Sequence, residues 1–228
     1  SEFIDTFRKA GVDEDARVVV LKGTGGVFCA GTDLSDPSSV PSEECGLTGS
    51  AEERGKWWPI VECPKPVIGV IDRPAEGMGA EFASQCDIRI ASTRTRFAWN
   101  FPHRGLVPDT GAGSWLLPRL VGTSQALSLL YSGDFISARE AHELKFVSDV
   151  FEPEELDGRA EDLTGGILQG SPFSHQRIKS LVYEDVGNDV SEHMRHHTTA
   201  LAECFKSVDH KERVASFLER RAPEFTGK

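Results

Sequence analysis

The chain has 228 residues, enough to bury a full core, and one α/β domain with a helical tail is expected rather than two independent domains. With 36 acidic against 25 basic side chains it carries a formal charge of −11, which argues against binding to a nucleic-acid backbone, since that mode rests on clustered Lys and Arg. The five cysteines (Cys29, Cys45, Cys63, Cys86 and Cys204) show no C-x-x-C pair or zinc-type His spacing, and no apolar run has membrane-spanning length. Reduced thiols in a cytosolic protein without a metal are therefore expected.

Apolar Phe3, Ile4, Phe7 and Ala10 recur at spacings of three and four, so Glu2 to Ala10 reads as an amphipathic helix. No leader precedes it, and so abrupt a start for a sheet protein suggests a missing upstream segment. Arg17 to Lys22 (RVVVLK) reads as a buried strand. It runs into Gly23 to Leu34 (GTGGVFCAGTDL), which lacks the Lys of a phosphate-cradling loop. Bare backbone near a ligand is the better reading, with Gly31 and Thr32 as the points of approach and Asp33 as a cap for the next segment. Ser35 to Arg54 is Ser-, Glu-, Pro- and Gly-rich and reads as a long surface loop. Trp57 and Trp58 announce a short helix, as filler for the core or an interface, or as lining for a pocket.

The most informative stretch is Lys65 to Ser92, KPVIGVIDRPAEGMGAEFASQCDIRIAS. Pro66 to Ile71 and Asp87 to Ala91 have the length and composition of buried strands, and the segment between them is too long for a hairpin loop. Gly77 and Gly79 flank Met78 ahead of a short helix, Ala80 to Cys86, whose start presents N–H groups to developing negative charge. Glu81 lies in the first turn among small and apolar neighbours. It is either a carboxylate stabilised by the helix dipole or a proton-transfer group of raised pKa beside a hydrogen-bond-donating turn.

Phe97 to Gly122 holds three prolines and reads as a loop, then a short helix interrupted at Pro118. Its one acid, Asp109, stands where an N-cap belongs. His103 and Arg104 read as solvated, with His103 a pocket option. Thr123 to Tyr131 is an amphipathic helix. Ser137 and Glu140 have capping-box spacing for the next one, and Phe146 to Phe151 reads as a strand. Four helices follow: Pro153 to Gln169, Pro172 to Val186, Val190 to Ser207, and Lys211 to Arg221, the last opened by Asp209 with Glu212.

FCAGTDL at 28–34, KPVIGVIDRPAEGMGAE at 65–81, CDIRIAS at 86–92, GLVPDTGAGSWLLPRLVG at 105–122 and SGDFISAREAHELKFVSDVF at 132–151 occur in an order and spacing that resemble the enoyl-CoA hydratase/isomerase, or crotonase, family. The resemblance implies an α/β spiral of ββα units over residues 1–152, here without its usual N-terminal hairpin. It implies a C-terminal helical oligomerisation region over 153–228, and a homotrimer or dimer of trimers. It also implies an acyl-CoA substrate, with coenzyme A entering as part of that substrate and no permanently bound cofactor.

In that family two backbone N–H groups bind the thioester oxygen as an enolate forms, and they fall here on Thr32 and Met78, the latter replacing the usual glycine. The likeness puts Ala30, Gly31, Asp33, Leu34, Gly77, Gly79 and Phe101 around the substrate. It matches Phe217 and Arg220 to a pair that reaches a neighbouring subunit's coenzyme site. Removing an α-proton from a thioester demands oxyanion stabilisation, and one lost donor costs about 3 to 4 kcal/mol of barrier. Of a hydratase's two glutamates one matches Glu81, while Phe101 stands at the place of the other. Asp109 lies where some isomerases of the family carry an acid. Double-bond isomerisation is therefore favoured over hydration. A dehalogenase-like hydrolysis with Asp109 as nucleophile and a non-catalytic interaction module are further alternatives.

Overall fold

The computed structural model describes residues 2–33 and 57–228; Leu34, Cys45 and the expected loop at 35–54 lie outside the described residues. The first helix, α1 (Glu2–Val12), packs Phe3 and Phe7 against Ile60, Val67, Phe82 and Cys86, with Phe3 stacked on Phe82. Strand β1 is Val19–Lys22, shorter than expected. Arg17 lies before it, with its guanidinium donating to the carbonyls of Leu168 and Gly170.

Strands β1, β2 (Val67–Ile71), β4 (Ile88–Ser92) and β7 (Asp149–Phe151) form a wholly parallel sheet in that order. A smaller sheet holds β3 (Ala75–Glu76), β5 (Arg96–Ala98) and β6 (Ile136–Ser137). The chain steps from the large sheet to the small one, through helix α2 (Met78–Gln85), and back to the large sheet at β4 before β5 repeats the step. This alternation is the expected spiral. Every residue of β2 is buried, which its uninterrupted VIGVI run requires of a parallel strand covered on both faces.

Helix α2 begins at Met78 and ends at Gln85, two residues earlier than expected at its start, because Gly77 takes a positive φ and turns the chain directly into it. Beyond β5, a single 3-10 turn at Pro102–Arg104 leads to α3 (Ala112–Trp115) and α4 (Leu117–Val121). Pro118 thus opens a second helix at a position where its missing N–H costs nothing. Next come α5 (Thr123–Ser132) and α6 (Ala138–Glu143), the latter opened by the expected capping box of Ser137 and Glu140. The expected strand from Phe146 starts only at Asp149. Phe146 and Val147 instead turn into the core, their N–H groups satisfied by Ala141 O. There Phe146 meets Phe97 and Trp99 edge-on, each at 5.1 Å between ring centroids.

The C-terminal helices are α7 (Leu156–Leu168), α8 (Pro172–Glu184), α9 (Val190–Lys206) and α10 (Val208–Glu219). Leu156 and Ala160 of α7 pack on Ile68, Val70 and Ile90 of the large sheet. Ser207, not Asp209, caps α10. Asp209 is buried, where it accepts hydrogen bonds from Ser171 Oγ and the N–H groups of Thr226 and Gly227. Among the described residues no helix is long and apolar enough to cross a membrane.

Candidate active site

The small sheet brings the two glycine turns together. Phe28 N–H donates to Pro74 O, Glu76 N–H donates to Cys29 O, and Cys29 bridges Ala75 in parallel register. The chain leaving Cys29 therefore runs beside the chain entering α2. Gly31 has φ +96°, and a Cβ there would stand 3.2 Å from Glu76 O and 3.6 Å from Met78 N, so only glycine allows this approach. A Cβ on Gly79 would collide with Cys29 O, which makes that glycine the spacer between helix and loop. Among the described residues neither Thr32 N–H nor Met78 N–H has a protein acceptor. Met78 N–H lies in the first turn of α2, where a helix offers none.

Two carboxyl groups lie beside these amides. Glu81 is fully buried on α2, against α3. Its Oε2 accepts a 2.8 Å hydrogen bond from Thr110 Oγ1, while Oε1 is buried without a partner. That free oxygen lies over Gly113, where a Cβ would strike it. Burial pushes the carboxyl up to about 7, against the lowering effect of the Thr110 hydroxyl and the nearby N–H dipoles of Gly113 and Ala112, and the neighbouring Asp109 charge adds to the rise. The helix-dipole reading of Glu81 is thus outweighed by desolvation.

Asp109 is not an N-cap. Helix α3 is preceded by Gly111 at positive φ, with no side-chain cap. Asp109 Oδ2 instead accepts from Thr32 Oγ1 at 3.1 Å, and Oδ1 is buried without a partner. Burial holds this carboxyl above its usual range, with the Thr32 hydroxyl opposing. Each acid therefore has one oxygen anchored by a threonine hydroxyl and one oxygen free.

The other expected site residues divide. Gly31, Gly77 and Gly79 shape the two turns, and Phe101 is buried with its ring 4.0 Å from where a Cβ on Gly77 would sit. Ala30 and Asp33 are exposed at the mouth of the loop. Leu34 lies outside the described residues. Phe217 and Arg220 are exposed on α10 and its C-cap, away from this group, and α10 packs on α9. His103 and Arg104 are exposed, as expected.

Three residues that the sequence pattern does not single out, Thr110, Gly113 and Gln85, belong to the site, together with Trp58, which the sequence offered as possible pocket lining. Thr110 anchors Glu81; Gly113 makes room for its free oxygen; Gln85 Nε2 donates to Trp57 O at 2.9 Å; and Trp58 Nε1 donates to Thr110 O at 2.8 Å. Trp58 thus supports the acid through its ring N–H, while Trp57 contributes only its main-chain carbonyl. Gln85 carried a readable signal: it stands four residues after Glu81, so two buried polar side chains share one face of a short helix.

Two loops brought side by side, with two buried carboxyls alongside, have the parts that proton transfer on carbon next to a carbonyl needs: main-chain N–H donors and acid–base groups. The profile of the enoyl-CoA hydratase/isomerase family matches residues 1–228. The 1,2-epoxyphenylacetyl-CoA isomerase of Escherichia coli K12 is 34% identical over 95% of this chain and 83% of its own length. The crotonyl-CoA hydratase of Syntrophomonas wolfei is 32% identical over 100% of this chain and 87% of its own. The crystal structure of an enoyl-CoA hydratase from Bacillus anthracis superimposes with a TM-score of 0.88 at 28% identity, covering 100% of this chain and 88% of that one. The fold is accordingly crotonase-like. The chain belongs to the enoyl-CoA hydratase/isomerase family.

Proposed function

We propose that this enzyme shifts a carbon–carbon double bond within an enoyl-CoA thioester. The thioester oxygen accepts from the N–H groups of Thr32 and Met78. Ionised Asp109 takes the α-proton as the carbonyl becomes an enolate, and Glu81, which holds a proton for part of the time near neutral pH, gives one back at the far end of the allylic system. The single observation that carries this reading is the pair of carboxyls, each with one anchored and one free oxygen, beside a buried phenylalanine at Phe101. Hydration asks one acid to orient and deprotonate water while another protonates carbon, and an aromatic ring supports neither. A relative named 1,2-epoxyphenylacetyl-CoA isomerase supports isomerisation of a CoA thioester, though of an epoxide and not of an enoyl double bond.

The second reading is 2-enoyl-CoA hydration, which the hydratase names of other relatives favour. Parallel assays of 3-enoyl-CoA isomerisation and 2-enoyl-CoA hydration decide between them. Glu81→Gln and Asp109→Asn are each expected to lower isomerisation by about 10²- to 10⁴-fold with little change in KM. An isomerase that keeps its rate in the double variant refutes both acid assignments. Halide release from a halobenzoyl-CoA, lost in Asp109→Asn, would point to the hydrolase instead. Residues 153–228 are the proposed oligomerisation region of a homotrimer or dimer of trimers, which would carry Phe217 and Arg220 to a neighbour's coenzyme site.

A further inference from the structure

Thr110 has three polar neighbours in the buried space between α2 and α3. Two of them are obligatory donors. Ala112 N–H lies 3.3 Å from Thr110 Oγ1, and Gln85 Nε2 lies 3.5 Å from it. The Gln85 amide cannot be turned over, because the same Nε2 donates to Trp57 O at 2.9 Å and an oxygen in its place would face that carbonyl. The hydroxyl's lone pairs thus face the two N–H donors, and its one hydrogen has one acceptor left, Glu81 Oε2 at 2.8 Å. Trp58 Nε1 fixes the backbone of Thr110 through its carbonyl. Because Thr110 can only donate to Glu81, its hydrogen occupies one lone pair of Oε2 and lowers that oxygen's basicity, which disfavours Oε2 as the seat of a bound proton. The proton is favoured instead on Oε1, which is buried without a hydrogen-bond partner.

We propose that Thr110 is a positioning residue that assigns the mobile proton of Glu81 to Oε1 and keeps the carboxyl ionisable in its buried site. The proposal rests on the reading of Glu81 as a proton-transfer group, and it extends that reading to a residue that never touches substrate. Asp109 is the other titratable group whose charge acts on Glu81, so its own ionisation must be held constant in any test.

The test is a carbon-13 NMR titration of enzyme labelled at the glutamate carboxyls, with the Glu81 signal assigned by its loss in Glu81→Gln and all variants compared in an Asp109→Asn background as well as in the parent. Thr110→Val removes the donor while preserving the β-branched shape. It is expected to raise the Glu81 midpoint by about one to two pH units, the size of a lost hydrogen bond to a charged group. Thr110→Ser is expected to restore the parent midpoint. In the isomerase assay Thr110→Val should lower kcat by tenfold or more with KM within about twofold, and serine should recover most of it. Thr110→Ala gives the same readout where valine does not fold. A Glu81 midpoint unmoved in both Thr110→Val and Thr110→Ala overturns the proposal. If the midpoint moves while Glu81→Gln stays fully active, the positioning stands and the acid–base role of Glu81 falls.

Discussion

At the scale of single residues, the cost of the site is concentrated in Glu81. A glutamate in an unfolded chain titrates near 4.5, whereas burial holds this one at about 7. Below about pH 4 the carboxyl is neutral in both states and costs nothing. Between about pH 4 and 7 the unfolded chain releases its proton while the folded chain keeps it, so the stability present at low pH is lost as pH rises through the folded value. The upper bound is about 3 kcal/mol. Glu81→Gln, which still accepts from Thr110, is therefore expected to be more stable than the parent by up to about 3 kcal/mol at pH 8, with the difference vanishing near pH 4. Urea denaturation at the two pH values checks it, and equal midpoints at pH 8 would mean that the carboxyl is not desolvated. Glu81 was legible as an acid among small apolar neighbours. Asp109 was half legible, since the local pattern Asp-Thr-Gly before a helix is also that of an N-cap, and the choice is made by Thr32, 77 residues away. Thr110 was not legible, because its partner lies on another element.

At the scale of elements, the site depends on a helix and a loop that approach more closely than side chains permit. Alanine ordinarily improves a helix over glycine by about 0.8 to 1 kcal/mol. At Gly79 the sign reverses, since a Cβ would strike Cys29 O and push the loop that carries Thr32 away from Met78. Gly79→Ala should cost about 1 to 3 kcal/mol of stability and, by displacing one amide, about 100-fold in turnover. Gly165 in α7 supplies the control: a Cβ there meets nothing within 4 Å, so Gly165→Ala should stabilise by up to about 1 kcal/mol and leave turnover unchanged. Thermal unfolding with an isomerase assay on both variants checks the pair, and a harmless Gly79→Ala would show that the turns are not held in register by this contact. The glycine-rich pattern announced both turns. It did not give the helix start at Met78 or the strand start at Asp149, because a positive φ at Gly77 and the burial of Phe146 and Val147 set those boundaries.

At the scale of the whole molecule, the spiral and the C-terminal helices are joined by a polar clamp. Lys179 of α8 is almost fully buried, and its ammonium donates to Ile60 O at 3.0 Å, Lys65 O at 3.1 Å and Asp87 Oδ2 at 2.9 Å. Asp87, at the edge of β4, also accepts from Val67 N–H at 2.7 Å and from Tyr183 Oη at 2.9 Å. One helix thus grips the start of two central strands through two side chains a turn apart. The sequence placed α8 correctly but left Lys179 unremarked, because only the fold puts three oxygens from separate segments around its end. Lys179→Ala strips the half-buried Asp87 carboxylate of its cation and leaves two carbonyls unsatisfied, so a loss of about 2 to 4 kcal/mol is expected, below the full cost of breaking a buried pair because Asp87 is partly solvated and retains Val67 and Tyr183. The loss should fall unevenly. Since α9 and α10 reach the rest of the chain largely through α8, limited proteolysis of Lys179→Ala should cut within 172–219 before the parallel sheet opens. Cleavage of sheet and helices at one rate would show instead that the C-terminal helices are held by contacts other than this clamp.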